Sequence, residues 1–125
     1  MSDPFIKEIA FVSAYVDDFE TNFRFYNEVL GLEKEFNMGS QACFFKLGEK
    51  SGLYLQGGNE KAEYKHNTQR PSFVLLVESA AAAWERLKAA DCCFVHKAPQ
   101  QMGPEQWWFM FYDPAGNILE ILGGK

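Results

Sequence analysis

Apolar residues recur along this chain with two different periods. Residues 6–16, IKEIAFVSAYV, crowd apolar and β-branched side chains into a short stretch that predicts a strand. From residue 18 the period lengthens. Phe19, Phe23, Tyr26 and Leu30 fall at i, i+4, i+7 and i+11, one apolar stripe on a helix over about 18–30. Asp17-Asp18-Phe19-Glu20 opens it with Asp-x-x-Glu capping-box spacing, and Gly31 stands where a left-handed glycine ends a helix. Shorter runs at 32–36, 42–47 and 53–56 predict three strands. GEKSG (48–52) reads as a hairpin turn, and the polar stretch 59–70 reads as a linker.

The second half repeats that order. Residues 72–77 (SFVLLV) predict a strand, and Ser79 is placed to cap a helix running to about residue 90, with Trp84 and Leu87 facing inward. Strands are expected at 92–96, 106–112 and 118–122, the last two joined by the turn Asp113-Pro114-Ala115-Gly116. Val16 and Phe23 lie 61 residues before Val77 and Trp84. LYLQGG (53–58) lies 66 residues before LEILGG (119–124). The chain is therefore an internal repeat of strand–helix–three strands. Its second copy is five residues longer, and the surplus is expected in the loop 98–105. Neither copy can bury a sheet face alone. Paired, they cover the helix-side faces and leave the opposite faces as a concave cup.

Composition narrows the class. The 125 residues are 47% hydrophobic and 23% charged, a globular balance for one domain. The net charge of −5 is spread without a basic block, which argues against a nucleic-acid partner. Apolar runs are far too short for a membrane span, and the N-terminus has no signal-peptide pattern. Cys43, Cys92 and Cys93 form neither an even set nor a Cys-x-x-Cys pair, so they read as buried small side chains in a reducing cytoplasm. Aromatics reach 16%, more than packing alone needs, which points to an aromatic-lined cavity.

The opening YVDDFETNFRFYNEVLGL and the closing FYDPAGNILEIL, taken together, resemble the vicinal oxygen chelate superfamily of glyoxalases, extradiol dioxygenases, and fosfomycin- and bleomycin-resistance proteins. The resemblance covers nearly the whole chain. It implies an α+β fold of tandem βαβββ modules (about 5–58 and 71–124, linker 59–70) forming a cup-shaped mixed sheet with helices on the outer face, within a homodimer. It also implies four cup-facing metal-ligand positions, which map to Phe11, Tyr54, Ser72 and Glu120. The repeat pairs Phe11 with Ser72 and Tyr54 with Glu120 independently. Only Glu120 is a good ligand for a divalent ion, so no metal or other cofactor is expected and metal-dependent activity is disfavoured.

Alternation of side chains adds the remaining candidates. Glu120 sits in an apolar strand, where a carboxylate lines a cavity or needs a partner. Gln56 shares a face with Tyr54. One face of 106–112, carrying Trp108, Met110 and Tyr112, is expected to form a stacking wall, although the same face also suits a dimer interface. His66 and His96 occupy no ligand position and are expected to be solvated. Three functions remain open. The first is a metal-free small-molecule binding protein using Phe11, Tyr54, Gln56, Ser72, Trp108, Met110, Tyr112 and Glu120. The second is a glyoxalase-like lyase with Glu120 as catalytic base and Tyr54 as the supporting donor. The third is a ligand-free dimerising module whose cup is filled by Phe11, Phe44 or Phe45, and Trp108.

Overall fold

A computed structural model describes residues 5–63 and 70–125. The first half contains β1 (Val12–Tyr15), α1 (Phe19–Arg24), a π-helical stretch (Phe25–Val29), β2 (Glu33–Asn37), β3 (Ala42–Leu47) and β4 (Ser51–Gln56). The second contains β5 (Val74–Ser79), α2 (Ala80–Ala89), β6 (Gln100–Gly103), β7 (Gln106–Tyr112) and β8 (Ile118–Gly124). Each half forms one four-stranded mixed sheet, in the orders β1-β4-β3-β2 and β5-β8-β7-β6. The first strand of each half pairs parallel to the last, and the remaining pairings are antiparallel. This is the α+β βαβββ architecture with a cup-like sheet.

Helix-side residues of both sheets share one core. Ala14, Phe45, Leu53 and Leu55 of the first half pack in the same cluster as Leu87, Phe109, Phe111 and Ile121 of the second. Ser79 caps α2 as expected, accepting from the Ala82 N–H at 3.1 Å. Trp84 stacks on Phe94 with centroids 3.8 Å apart, and Leu87 is buried. The first helix departs from the expected regular form. Its cap is Asp18, bonded to Thr21 N, rather than the Asp17–Glu20 pair. Beyond Arg24 it widens into a π turn, closed by Leu30 N–H to Phe25 O. Phe25 and Tyr26 both point inward from this turn, on the face that also buries Asn22.

Tyr26 uses that placement. Its hydroxyl donates to Asp113 Oδ2 at 2.6 Å across a sequence separation of 87 residues. Asp113 is buried in the β7–β8 turn and also accepts from Ala115 N, Asn117 N and the Asn117 side chain. Burial raises the Asp113 carboxyl above its ordinary range, against the opposing pull of these donors. Burial first, and the neighbouring carboxylate second, push the Tyr26 phenol well above its usual value. Gly116 completes the turn at φ 90°, and a Cβ there would lie 2.6 Å from the Ala62 carbonyl oxygen.

Several expectations need correction. The first strand is Val12–Tyr15 only, and Phe11 precedes it. The second half's first strand begins at Val74, two residues beyond Ser72. Residues 92–96 form no regular strand but a single bridge, Phe94 to Phe111, flanked by Val95 N–H to Met110 O and Tyr112 N–H to Cys93 O. The regular partner of β7 is β6, inside the segment expected to be an inserted loop. The chain leaves the ladder between these two contacts, just before and at Pro99, which has no N–H to give. Cys93 is exposed rather than buried. His66 and part of the expected linker lie outside the described residues. No helix among the described residues is long and apolar enough to cross a membrane.

Two outcomes follow from this packing. Tyr26→Phe removes one of four donors from a buried carboxylate and should lower stability by about 1–3 kcal/mol, read as a lower urea midpoint at unchanged slope. Burial pushes the Cys92 thiol up to about 12 and the Cys43 thiol up to about 11, so both stay protonated, and therefore unreactive, near neutral pH. A thiol reagent on native protein should label Cys93 alone, with the other two reacting only on unfolding. Fast labelling of two or more thiols would contradict this burial.

Candidate functional site

The strand registers define the faces opposite the core. On the first sheet Ser13 pairs with Tyr54, Tyr15 with Gln56, and Phe44 with Tyr54. Strand alternation therefore places Ser13, Tyr15, Phe44, Tyr54 and Gln56 together, with Leu53 and Leu55 on the buried side. On the second sheet Val74 and Met110 flank Glu120, Trp108 pairs with Leu122, and Tyr112 with Ile118. The β7 alternation resolves as expected. Phe109 and Phe111 are fully buried, whereas Trp108, Met110 and Tyr112 are half-buried on the far face.

The second sheet builds the distinctive pair. Glu120 and Trp108 are diagonal neighbours across the β7–β8 ladder, a separation that a long aromatic side chain can span. The Trp108 indole N–H donates to Glu120 Oε1 at 2.6 Å. His96 was expected in solvent but is half-buried. Its ring lies edge-on to Trp108 with centroids 4.6 Å apart, and its Nδ1 accepts the Met110 N–H at 3.2 Å. That bond assigns the proton of the neutral ring to Nε2. The sequence signal for His96 was its place at the end of an aromatic-facing segment. The irregular backbone that folds it over Trp108 carries no periodic signature.

The first sheet arranges its candidates differently. Gln56 Nε2 donates to the Tyr54 hydroxyl at 2.9 Å, so these two meet as expected. Phe11 is 46% exposed and packs edge-on against Phe44 (5.2 Å), which in turn stacks on Phe36 (5.5 Å). Phe45 is fully buried in the core and so cannot fill the cup. Ser72 is exposed ahead of β5, and its backbone N–H bonds the Ile118 carbonyl. Among the described residues, no hydrogen bond or ring contact joins the Tyr54–Gln56 pair to the Trp108–Glu120 pair.

A more enclosed cavity of about 240 Å³ lies elsewhere, between the halves, lined by Val29, Leu30, Leu75, Leu87, Ile121 and Arg86 among others. Its one charged side chain caps the π-helical stretch, giving Nε–H to Val29 O at 2.9 Å. This space lacks convergent polar groups and reads as a packing gap.

The chain matches the model of the Glyoxalase/Bleomycin resistance protein/Dioxygenase superfamily over residues 8–121, and it belongs to that superfamily. No curated protein matches it. Among solved structures it is similar to lactoylglutathione lyase from Agrobacterium tumefaciens (23% identity, 97% of this chain and 96% of that one, TM-score 0.71). It is also similar to the fosfomycin resistance protein FosX from Listeria monocytogenes (19% identity, 97% and 94%, TM-score 0.76). A third likeness is a superfamily member from Sphaerobacter thermophilus (20% identity, 96% and 99%, TM-score 0.73). At these identities the likeness is one of fold. A mutant of the Listeria protein has been solved with Mn(II) and 1S,2S-dihydroxypropylphosphonic acid.

The superfamily's metal chemistry raises the question of whether this chain's residues suit a divalent ion. They do not. Phe11 offers no donor atom, the Tyr54 hydroxyl is bonded to Gln56, and one oxygen of Glu120 is held by the Trp108 indole. Among the described residues, no group of three His, Cys, Asp or Glu side chains could hold a metal. A divalent hard or borderline ion needs several converging N or O donors. Titration with Mn(II), followed by the loss of its free-ion EPR signal, should therefore show no stoichiometric binding at micromolar concentrations. A one-to-one complex weakened by Glu120→Ala would refute this reading of the donor set.

Proposed function

We propose that this protein binds a small planar or apolar molecule on the Trp108–Met110–Tyr112 wall of its second sheet, without a metal. The observation that carries the reading is the Trp108–Glu120 hydrogen bond. Where relatives would direct a carboxylate at an ion, this chain directs it at an indole. Half-buried aromatic side chains beside one oriented polar group are the ingredients of a small-molecule site. The Phe11–Phe44–Phe36 stack favours a division of labour, in which the first sheet fills its own concavity and the second keeps an open wall.

We also infer a homodimer. Tyr15, Phe36, Val74 and Leu76 are all about half-exposed or more, with Leu76 at 82%, and a second copy would cover part of this apolar surface. Three free cysteines fit residence in a reducing compartment, the cytoplasm. The lyase reading fits less well. Glu120 as a base would generate an enediolate with no electrophile beside it, because Tyr54 is not joined to its cluster.

The test is tryptophan fluorescence titrated with a panel of planar and apolar compounds. A saturable change is expected with at least one of them, mostly lost in Trp108→Phe although Trp84 and Trp107 remain. No saturable change across the panel would defeat the proposal.

A further inference from the structure

A half-buried carboxylate in an apolar strand loses part of its hydration, and donors or positive charge facing it offset that loss. Glu120 has one such partner, the Trp108 indole at 2.6 Å. Among the described residues its second oxygen accepts no hydrogen bond, and the Lys61–Asp17 ion pair lies elsewhere. Glu120 is also the one charged residue in β7 and β8. Its neighbours in register are Val74 and Met110, both apolar.

We propose that the ligand supplies the missing charge, and that this site selects an organic cation: an amine or amidine carried on a flat or apolar body. This rests on the small-molecule reading given above and assigns the chemical class of its ligand. Two features favour such a cation over a metal ion. An ammonium or amidinium needs only one carboxylate, because its own body provides the remaining contacts. The indole beside Glu120 also gives its N–H to a carboxylate, which polarises the ring and enriches its face for a cation. Amidinium suits the free carboxylate oxygen best, since it offers directed N–H donors as well as charge. His96 closes one side of the indole, so the ligand reaches the pair from the open side of the sheet.

Three probes with the same ring and different charge test this: benzamidine, benzamide and benzoate. Binding is followed by the NMR shift of the Trp108 indole N–H. Benzamidine should bind about tenfold or more tightly than benzamide, with benzoate weakest. Glu120→Gln should bring benzamidine down to the level of benzamide, with the thermal midpoint showing that the variant is folded. Trp108→Phe, followed through the ligand signals, should weaken both. Equal affinity for all three probes overturns the cation assignment while the small-molecule site stands. No shift with any probe up to about 20 mM overturns the assignment and the site together.

Discussion

The buried hydrogen bond from Tyr26 to Asp113 is the constraint on which the arrangement depends. It joins the first helix of one half to the last turn of the other. Asp113 could not remain buried without donors, and four converge on it: one phenol, two backbone amides and one carboxamide. Those same bonds shape the β7–β8 turn. The turn sets the register of the hairpin, and a slip of one residue would turn Glu120 and Trp108 to the core side. The pairing of Met110 with Glu120, and hence the diagonal that lets Trp108 reach the carboxylate, follows from a turn held 87 residues away in sequence. The π-helical stretch belongs to this chain of causes, because it delivers Tyr26 to the turn while keeping Phe25 in the core beside Phe111.

The Trp108–Glu120 pair shows how a carboxylate on a half-buried strand face can be held by a neutral donor. A carboxylate on such a face bears part of the cost of desolvation. An indole N–H offsets part of that cost with a single neutral donor of fixed geometry. It also brings a large apolar surface that a metal would not. Under the proposed reading, recognition rests on area, stacking and one charge rather than on coordination number. Its selectivity then depends on which molecules can satisfy the remaining carboxylate oxygen.

Much of this was legible in the amino-acid pattern. The helix stripe, the Ser79 cap, Gly31 at φ 74°, the β3–β4 hairpin and the face assignment of β7 all follow from local periodicity and turn chemistry. Other features depend on contacts far apart in sequence. Asp113 read as an ordinary turn residue because its partner is in the other half. The π widening of the first helix departs from the 3.6-residue period and has no local sequence signal. Strand 92–96 failed because a run of apolar residues marks burial, not ladder geometry. Phe94 is indeed packed on the core, stacked on Trp84, but the backbone around it makes only one bridge before leaving β7. His96 was misread for the same reason.

The two halves are equivalents in the repeat, and they diverge in the side chains that face away from the core. In the first half the Phe44 ring lies over Gly52, where any Cβ would collide with it. Phe11 and Phe36 flank that ring, and Tyr54 is bonded to Gln56. Phe11, Tyr15, Phe36, Phe44, Tyr54 and Gln56 each meet a partner from the same half. The equivalent of Tyr54 in the second half is Glu120, whose charge is only half answered. Phe11 and Phe36 keep 46% and 47% of their surface exposed, so the contrast between the faces lies in the carboxylate that the second one holds beside an indole. The asymmetry in satisfied contacts, more than the count of aromatics, is what supports the reading proposed for the second sheet.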